Sequence, residues 1–326
     1  MKLRILGGAE IKALLPMAAC IALMRTTMIA VSEGRARIPL RTVLPVSNGG
    51  MLGSMPGYLA EPECFGVKLL SLFPGDPAAG LSSHLGLVLL FEPQHGLPVA
   101  LLDAAELTAI RTAAVSGLAT QLLAREDAGD LAILGSGEQA HSHLAAMLAV
   151  RPIRRVRVWS RTPAHAATFA EEQGAAHGLK IEIAASAQAA VAGADLICTV
   201  TGSPEPILRG DWIAPGAHLN VVGASQIAAA EIDTAAVAKS RFFVDFRGSA
   251  EHEAGELRRA IDAGAVTAAH VLGEIGEVAS RSVAGRLADT DITLFKSLGV
   301  AAEDLASAHF VLQRAEAEGI GQVVEL

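Results

Sequence analysis

The chain has 326 residues, is 51% hydrophobic and 18% charged, and carries a formal net charge of −8, enough length for two domains with cores of their own. An acidic balance with only 4% aromatic residues argues against nucleic-acid and membrane-surface roles, which call for basic patches and, for single strands, stacking platforms. Three widely spaced cysteines, Cys20, Cys64 and Cys198, form no disulfide or metal-ligand pattern, as expected of a cytoplasmic protein without a metal.

In chain order, a strand-like run ending at Ile5-Leu6 precedes an apolar stretch, residues 9–33, expected to form one amphipathic core helix that stops near Gly34. Its residues 16–31 are too few to cross a bilayer and contain Arg25, and no signal-like cleavage pattern follows. Residues 66–73, 86–91 and 98–103 are strand candidates separated by Gly, Pro and Asp turns, which predicts an antiparallel sheet with a capping helix.

From residue 131 the texture changes to a regular α/β alternation. An apolar strand over 131–134 meets Gly135-Ser136-Gly137-Glu138-Gln139-Ala140, which opens a helix, and a second strand over 156–159 ends on Ser160-Arg161-Thr162. Strand, glycine turn, helix, strand is the order of a dinucleotide-binding unit. Gly135 allows the tight turn, and Gly137 lets backbone N–H groups approach a pyrophosphate. An NAD site usually places an acid at the end of the second strand for the ribose 2′-hydroxyl. Here Ser160, Arg161 and Thr162 offer a guanidinium and two hydroxyls to a 2′-phosphate, which predicts NADP(H) in preference to NAD(H). Further strands are expected at 180–183, 196–200, 218–222 and 242–245, making six in an open, mostly parallel, doubly wound sheet. Thr199 and Thr201 close the fourth strand, where such sheets bind ligands, and Thr112 is a further candidate cofactor contact. The helix expected over 301–318 follows the completed dinucleotide domain and is expected to return to the first. The division is therefore 1–117 with 300–326, and 118–299.

Several segments together resemble the ornithine cyclodeaminase/mu-crystallin family. They are Gly66-Val67-Lys68, Ser83-His84, the run 88–93, and Thr108 with Arg111-Thr112-Ala113-Ala114. The glycine turn, Val222-Gly223-Ala224-Ser225 with Glu231-Ile232-Asp233, and the run 291–297 continue the series. The resemblance is nearer the mu-crystallin side. It implies an N-terminal substrate domain that dimerises through its antiparallel sheet, a Rossmann-type dinucleotide domain, and hydride exchange between NAD(P) and α-imino or α-amino acids. It implies that Arg41, Lys68 and Arg111 hold the substrate carboxylate and that Ser297 lies near the nicotinamide. His84 is a candidate substrate or proton-relay group, and Lys68 a candidate proton donor. The residues accord with this: Lys68 interrupts an apolar strand and alternation puts it with Leu70 and Leu72, while Arg111, read as standing at a helix start among small residues, is costly to bury bare.

The cyclodeaminases of the family carry an aspartate where this chain has Ser225, and an unaided hydroxyl is no general base near neutrality. The resemblance therefore implies an NADPH-dependent reductase of cyclic α-imino acids, with Gly223 and Ser225 contacting the cofactor or substrate. An ammonia lyase with bound NAD, an alanine- or opine-like dehydrogenase, and a crystallin-like NADPH-binding protein without turnover stay open.

Overall fold

A computed structural model describes residues 2–73 and 84–325; the turn at 74–77 and Ser82-Ser83 lie outside the described residues. Two compact units divide the chain, Met1–Thr112 with Gly299–Leu326, and Ala113–Leu298.

The first unit opens with β1 (Lys2–Leu6), α1 (Gly8–Leu14) and α2 (Met17–Ser32). The apolar stretch 9–33 is thus two helices rather than one. Pro16 caps α2, and a residue before proline is held out of the helical region, so Leu15 takes φ −121° and ψ 70° and the axes bend by 81°. No single described helix is long and apolar enough to cross a membrane. There follow β2 (Ala36–Arg37), β3 (Thr42–Pro45), β4 (Met51–Ala60), β5 (Glu63–Leu72), β6 (His84–Phe91), β7 (Pro98–Asp103) and α3 (Ala104–Leu123). Arg111 lies in the third turn of α3, not at its start as expected. The division between the units falls inside this helix.

The second unit runs β8 (Asp130–Leu134), α4 (Glu138–Val150), β9 (Arg155–Trp159), α5 (Pro163–His177), β10 (Ile181–Ile183), α6 (Ala187–Val191) and β11 (Leu196–Thr199). It continues with β12 (His218–Val221), α7 (Thr234–Lys239), β13 (Ser240–Val244), α8 (Arg247–Glu253), α9 (Gly255–Asp262), β14 (Val271–Glu274), α10 (Ile275–Ala279) and β15 (Ile292–Lys296). All eight strands are parallel, in the order β10-β9-β8-β11-β12-β15-β13-β14. The fold is α/β, and two strands join the six expected. β15 inserts between β12 and β13, and β14 takes the edge. Residues 131–134, 196–199 and 218–221 are buried throughout, as strands covered on both faces must be. Strand order reverses between β8 and β11, the switch point outside whose carboxyl ends ligands bind in open sheets.

The chain then returns to the first unit for α11 (Ala301–Glu318) and β16 (Gln322–Glu325). That unit's sheet runs β16-β1-β7-β6-β5-β4-β2, with β3 also on β4. It is antiparallel apart from the β1–β7 pair. α11 packs on β4, β5 and β6 and against α2. Cys64, Gly66 and Lys68 of β5 are buried while Leu69 is exposed, so alternation gives the sheet a second face that α11 does not cover. On that face Leu44, Leu52, Leu69, Leu85 and Leu87 are all exposed.

Candidate functional site

In the second unit, β8 turns into α4 at the switch point. Gly135 has φ +122°, and a Cβ there would lie 2.7 Å from the Val200 carbonyl oxygen, so only glycine allows the turn to press against the end of β11. Gly137 is the N-cap of α4, no side chain caps the helix, and a Cβ at Gly137 would meet nothing within 4 Å. Ser136 and Gln139 are half-buried, and Gly137 and Glu138 are exposed. Open space before an uncapped helix N-terminus fits a pyrophosphate, which takes its hydrogen bonds from the first N–H groups.

At the end of β9 the segment 151–161 holds five arginines, and four are committed. Arg151 donates to the Thr120 and Arg125 carbonyls, Arg154 to the Asp127 carbonyl, Arg155 to Glu182 at 2.6 Å and Arg157 to Asp130 at 2.5 Å. Arg161 is exposed and has no partner among the described residues. Thr162 is the N-cap of α5 with Pro163 at the first turn, but its hydroxyl makes no capping bond. With half-buried Ser160, this leaves one guanidinium, two hydroxyls and a helix N-terminus in the segment that follows β9, where dinucleotide-binding folds hold the ribose.

The ends of β11 and β12 are joined by a carboxylate to which no role was assigned from sequence. Glu231 is fully buried. Its Oε1 accepts from the Thr201 N–H (2.6 Å) and hydroxyl (2.7 Å), and its Oε2 from the Thr199 hydroxyl (2.8 Å) and the Gly223 N–H (2.7 Å). Burial pushes its pKa up, against Lys296 and these donors. Thr199 and Thr201 therefore shape the turn, their hydroxyl protons spent on Glu231, and the direct ligand contact expected of buried Thr199 is not supported. Lys296, also fully buried, donates to Glu256 at 3.1 Å and to the Ala224 carbonyl. Ser225 is half-buried. Ser297 is buried, and its Oγ has no partner among the described residues, a polar atom left for a ligand or water to satisfy.

In the first unit three expected residues converge. Lys68 (1% exposed) and Arg111 (4% exposed) both bond one oxygen, Asp304 Oδ1: Lys68 Nζ and Arg111 Nε each stand 3.0 Å from it. Arg111 Nη1 also donates to Glu303. Arg41 reaches the same place, its Nη2 donating at 3.0 Å to the carbonyl of Gly299. Gly299 has φ +77°, and a Cβ there would lie 2.5 Å from Arg111 Nη1, so the guanidinium occupies the space a side chain would need. Burial, then Arg111, lowers the Lys68 pKa from 10.5 to about 8, against Asp304 and Glu303. Lys68 is thus an ammonium at neutral pH that releases its proton more readily than an exposed lysine. Thr112 is buried, one residue beyond Arg111. His84 opens β6, and its side chain lies outside the described residues.

The acids of this cluster were not foreseen. Glu303 and Asp304 stand in the first turn of an Ala-rich helix, where acids ordinarily complement the macrodipole at the surface. The available signal was stoichiometric: two buried cations require anions, and residues 301–308 are otherwise apolar or small.

The ornithine cyclodeaminase/mu-crystallin family profile matches residues 2–319. Ketimine reductase mu-crystallin of Mus musculus is 40% identical over 281 residues, covering 86% of this chain and 85% of that protein. Δ1-Pyrroline-2-carboxylate reductase of Bacillus cereus (strain ZK / E33L) is 33% identical over 323 residues, 98% of this chain and 99% of that protein. The solved Thermococcus litoralis Δ1-pyrroline-2-carboxylate reductase, in complex with NADH and L-proline, is 34% identical with a TM-score of 0.95, covering 98% of this chain and 99% of that one. The chain belongs to the ornithine cyclodeaminase/mu-crystallin family.

Proposed function

We propose that this chain is an NADPH-dependent reductase of cyclic α-imino acids, converting Δ1-pyrroline-2-carboxylate or Δ1-piperideine-2-carboxylate to the saturated amino acid. The observation that carries the reading is the buried Lys68–Arg111 pair sharing Asp304. An ammonium has three N–H donors and a guanidinium five, so donors remain on both after the bonds to Asp304 and Glu303 for a substrate carboxylate, with Arg41 assisting. Lys68 and Arg111 balance Glu303 and Asp304, and Arg41 beside them adds one positive charge to face the substrate carboxylate.

Bound NADPH supplies a hydride from C4 of its nicotinamide to the C=N carbon. Lys68 yields a proton to the ring nitrogen as it becomes an amine, and its pKa of about 8 keeps it charged for this task near pH 7. The N–H groups at Ser136-Gly137-Glu138-Gln139 would hold the pyrophosphate. Ser160, Arg161 and Thr162 would hold the 2′-phosphate, and Gly223, Ser225 and Ser297 would line the nicotinamide end. Ser225, in place of the cyclodeaminase acid, favours net reduction over ammonia release. Purified protein should oxidise NADPH on addition of either cyclic imine; no oxidation with either one, nor with pyruvate plus an amine, overturns the reading.

Arg161→Asp should raise the KM for NADPH by about 10–100-fold, the value of a charge-assisted bond of about 1.5–3 kcal/mol, and leave NADH use intact. An unchanged NADPH/NADH ratio would remove Arg161 from the phosphate site. The exposed leucine face of the first unit supports a homodimer closed through that sheet, since contiguous apolar patches of this kind mark interfaces. Replacing Leu69 and Leu87 by Asp should give a monomer by light scattering, and a monomeric parent protein would contradict this. A cytoplasmic location accords with three free, buried cysteines.

A further inference from the structure

We propose that Glu303 and Asp304, the consecutive acids that open α11, are the positioning pair of the substrate site: they hold the Lys68 ammonium and the Arg111 guanidinium in one orientation and keep Lys68 protonated. The inference rests on the proton-donor role proposed for Lys68.

The geometry is specific. Asp304 Oδ1 takes one N–H from each cation at 3.0 Å, so a single atom fixes the angle between them. Glu303 takes a second guanidinium N–H, which stops the fork rotating about its Nε bond. Asp304 Oδ2 is buried and has no partner among the described residues, leaving the carboxylate with acceptor capacity inside the site. Both acids are buried, at 0% and 1% exposure, so water screens little of their charge.

The surroundings of Lys68 leave these acids in control of its charge. Its neighbours across β4 and β6 are Met55 and Val88, which carry none. α3 presents Arg111, which opposes a second cation, and α11 presents Asp304 and Glu303. Cys20 of α2 stands near Glu303, and burial pushes its thiol up to about 12, so it stays neutral. Without the carboxylates, burial and Arg111 together favour the uncharged amine.

The test follows the Lys68 titration by lysine 13Cε NMR, tractable with six lysines in the chain and assigned by Lys68→Arg, beside the pH profile of kcat/KM for imine reduction. Asp304→Asn should lower the Lys68 midpoint by roughly one pH unit or more, the usual effect of losing an opposite charge in contact. The alkaline limb of kcat/KM should move with it, and Asp304→Glu should restore most of the shift. Should Asp304→Asn fail to fold, Glu303→Gln carries the test, with a smaller fall because Glu303 bonds Arg111 and not Lys68. A midpoint unmoved in both variants overturns the proposal. A midpoint that moves while the limb stays fixed supports the positioning pair and instead removes Lys68 as the proton donor.

Discussion

Arg111→Met is expected to destabilise the first unit by about 3–5 kcal/mol, the cost of breaking a buried ion pair from one side, and to lower kcat/KM for imine reduction by on the order of 10^3-fold. The methionine keeps much of the packing volume, so what disappears is charge and direction. Glu303 and Asp304 are left buried with only the Lys68 ammonium between them, and the substrate carboxylate loses its forked donor. Arg111→Lys should recover part of the stability and little of the activity, because one ammonium cannot reach two acids and a substrate with planar geometry. Adding Glu303→Gln to Arg111→Met should recover some of the lost stability by removing a stranded anion. Urea unfolding of the four proteins checks this. An Arg111→Met protein as stable as the parent would show that the quartet does not act as one coupled cluster.

The second large effect lies at the glycine turn, where two glycines should separate. Gly135→Ala places a Cβ against the Val200 carbonyl at a φ of +122°, which a residue with a side chain adopts only under strain. Unit stability should fall by about 1–3 kcal/mol, with dinucleotide affinity falling alongside because the β8–α4 turn must shift. Gly137→Ala meets nothing in the protein and costs only the N-cap preference for glycine over alanine, about 0.5–1 kcal/mol. Its folding should be near normal while dinucleotide affinity drops by about tenfold or more, since the open space is where the backbone must admit phosphate. Calorimetric titration with NADPH beside thermal unfolding reads both. Equal loss of stability in the two variants would contradict a phosphate cradle at Gly137.

How far the sequence revealed this molecule depends on how each feature announces itself. β8, β9, β11 and β12 were legible because strands covered on both faces read as apolar runs, and the glycine turn has only a few structural uses. β14 and β15 were not. β14 is Val-Leu-Gly-Glu, and β15 alternates Ile, Leu and Lys with Thr and Phe, its polar members Thr293 and Lys296 buried through partners distant in sequence. The break between α1 and α2 was available at Pro16, but the continuous apolar composition on either side outweighed it. Lys68 and Arg111 stood out as cations in apolar surroundings, whereas Glu303 and Asp304 had the ordinary appearance of a helix start. Thr199 and Thr201 were located correctly at the strand end, yet their partner Glu231 lies some thirty residues on, and no local pattern links them.

The central claim is that this chain reduces a C=N bond with hydride delivered from an external nicotinamide. The most direct measurement incubates the protein with Δ1-pyrroline-2-carboxylate and NADPH deuterated in turn at each face of C4, and weighs the proline formed. One of the two labels should appear as a single deuterium at Cα, one for each NADPH oxidised. Proline formed without label from either cofactor, or formed from ornithine with ammonia and no added cofactor, would contradict it.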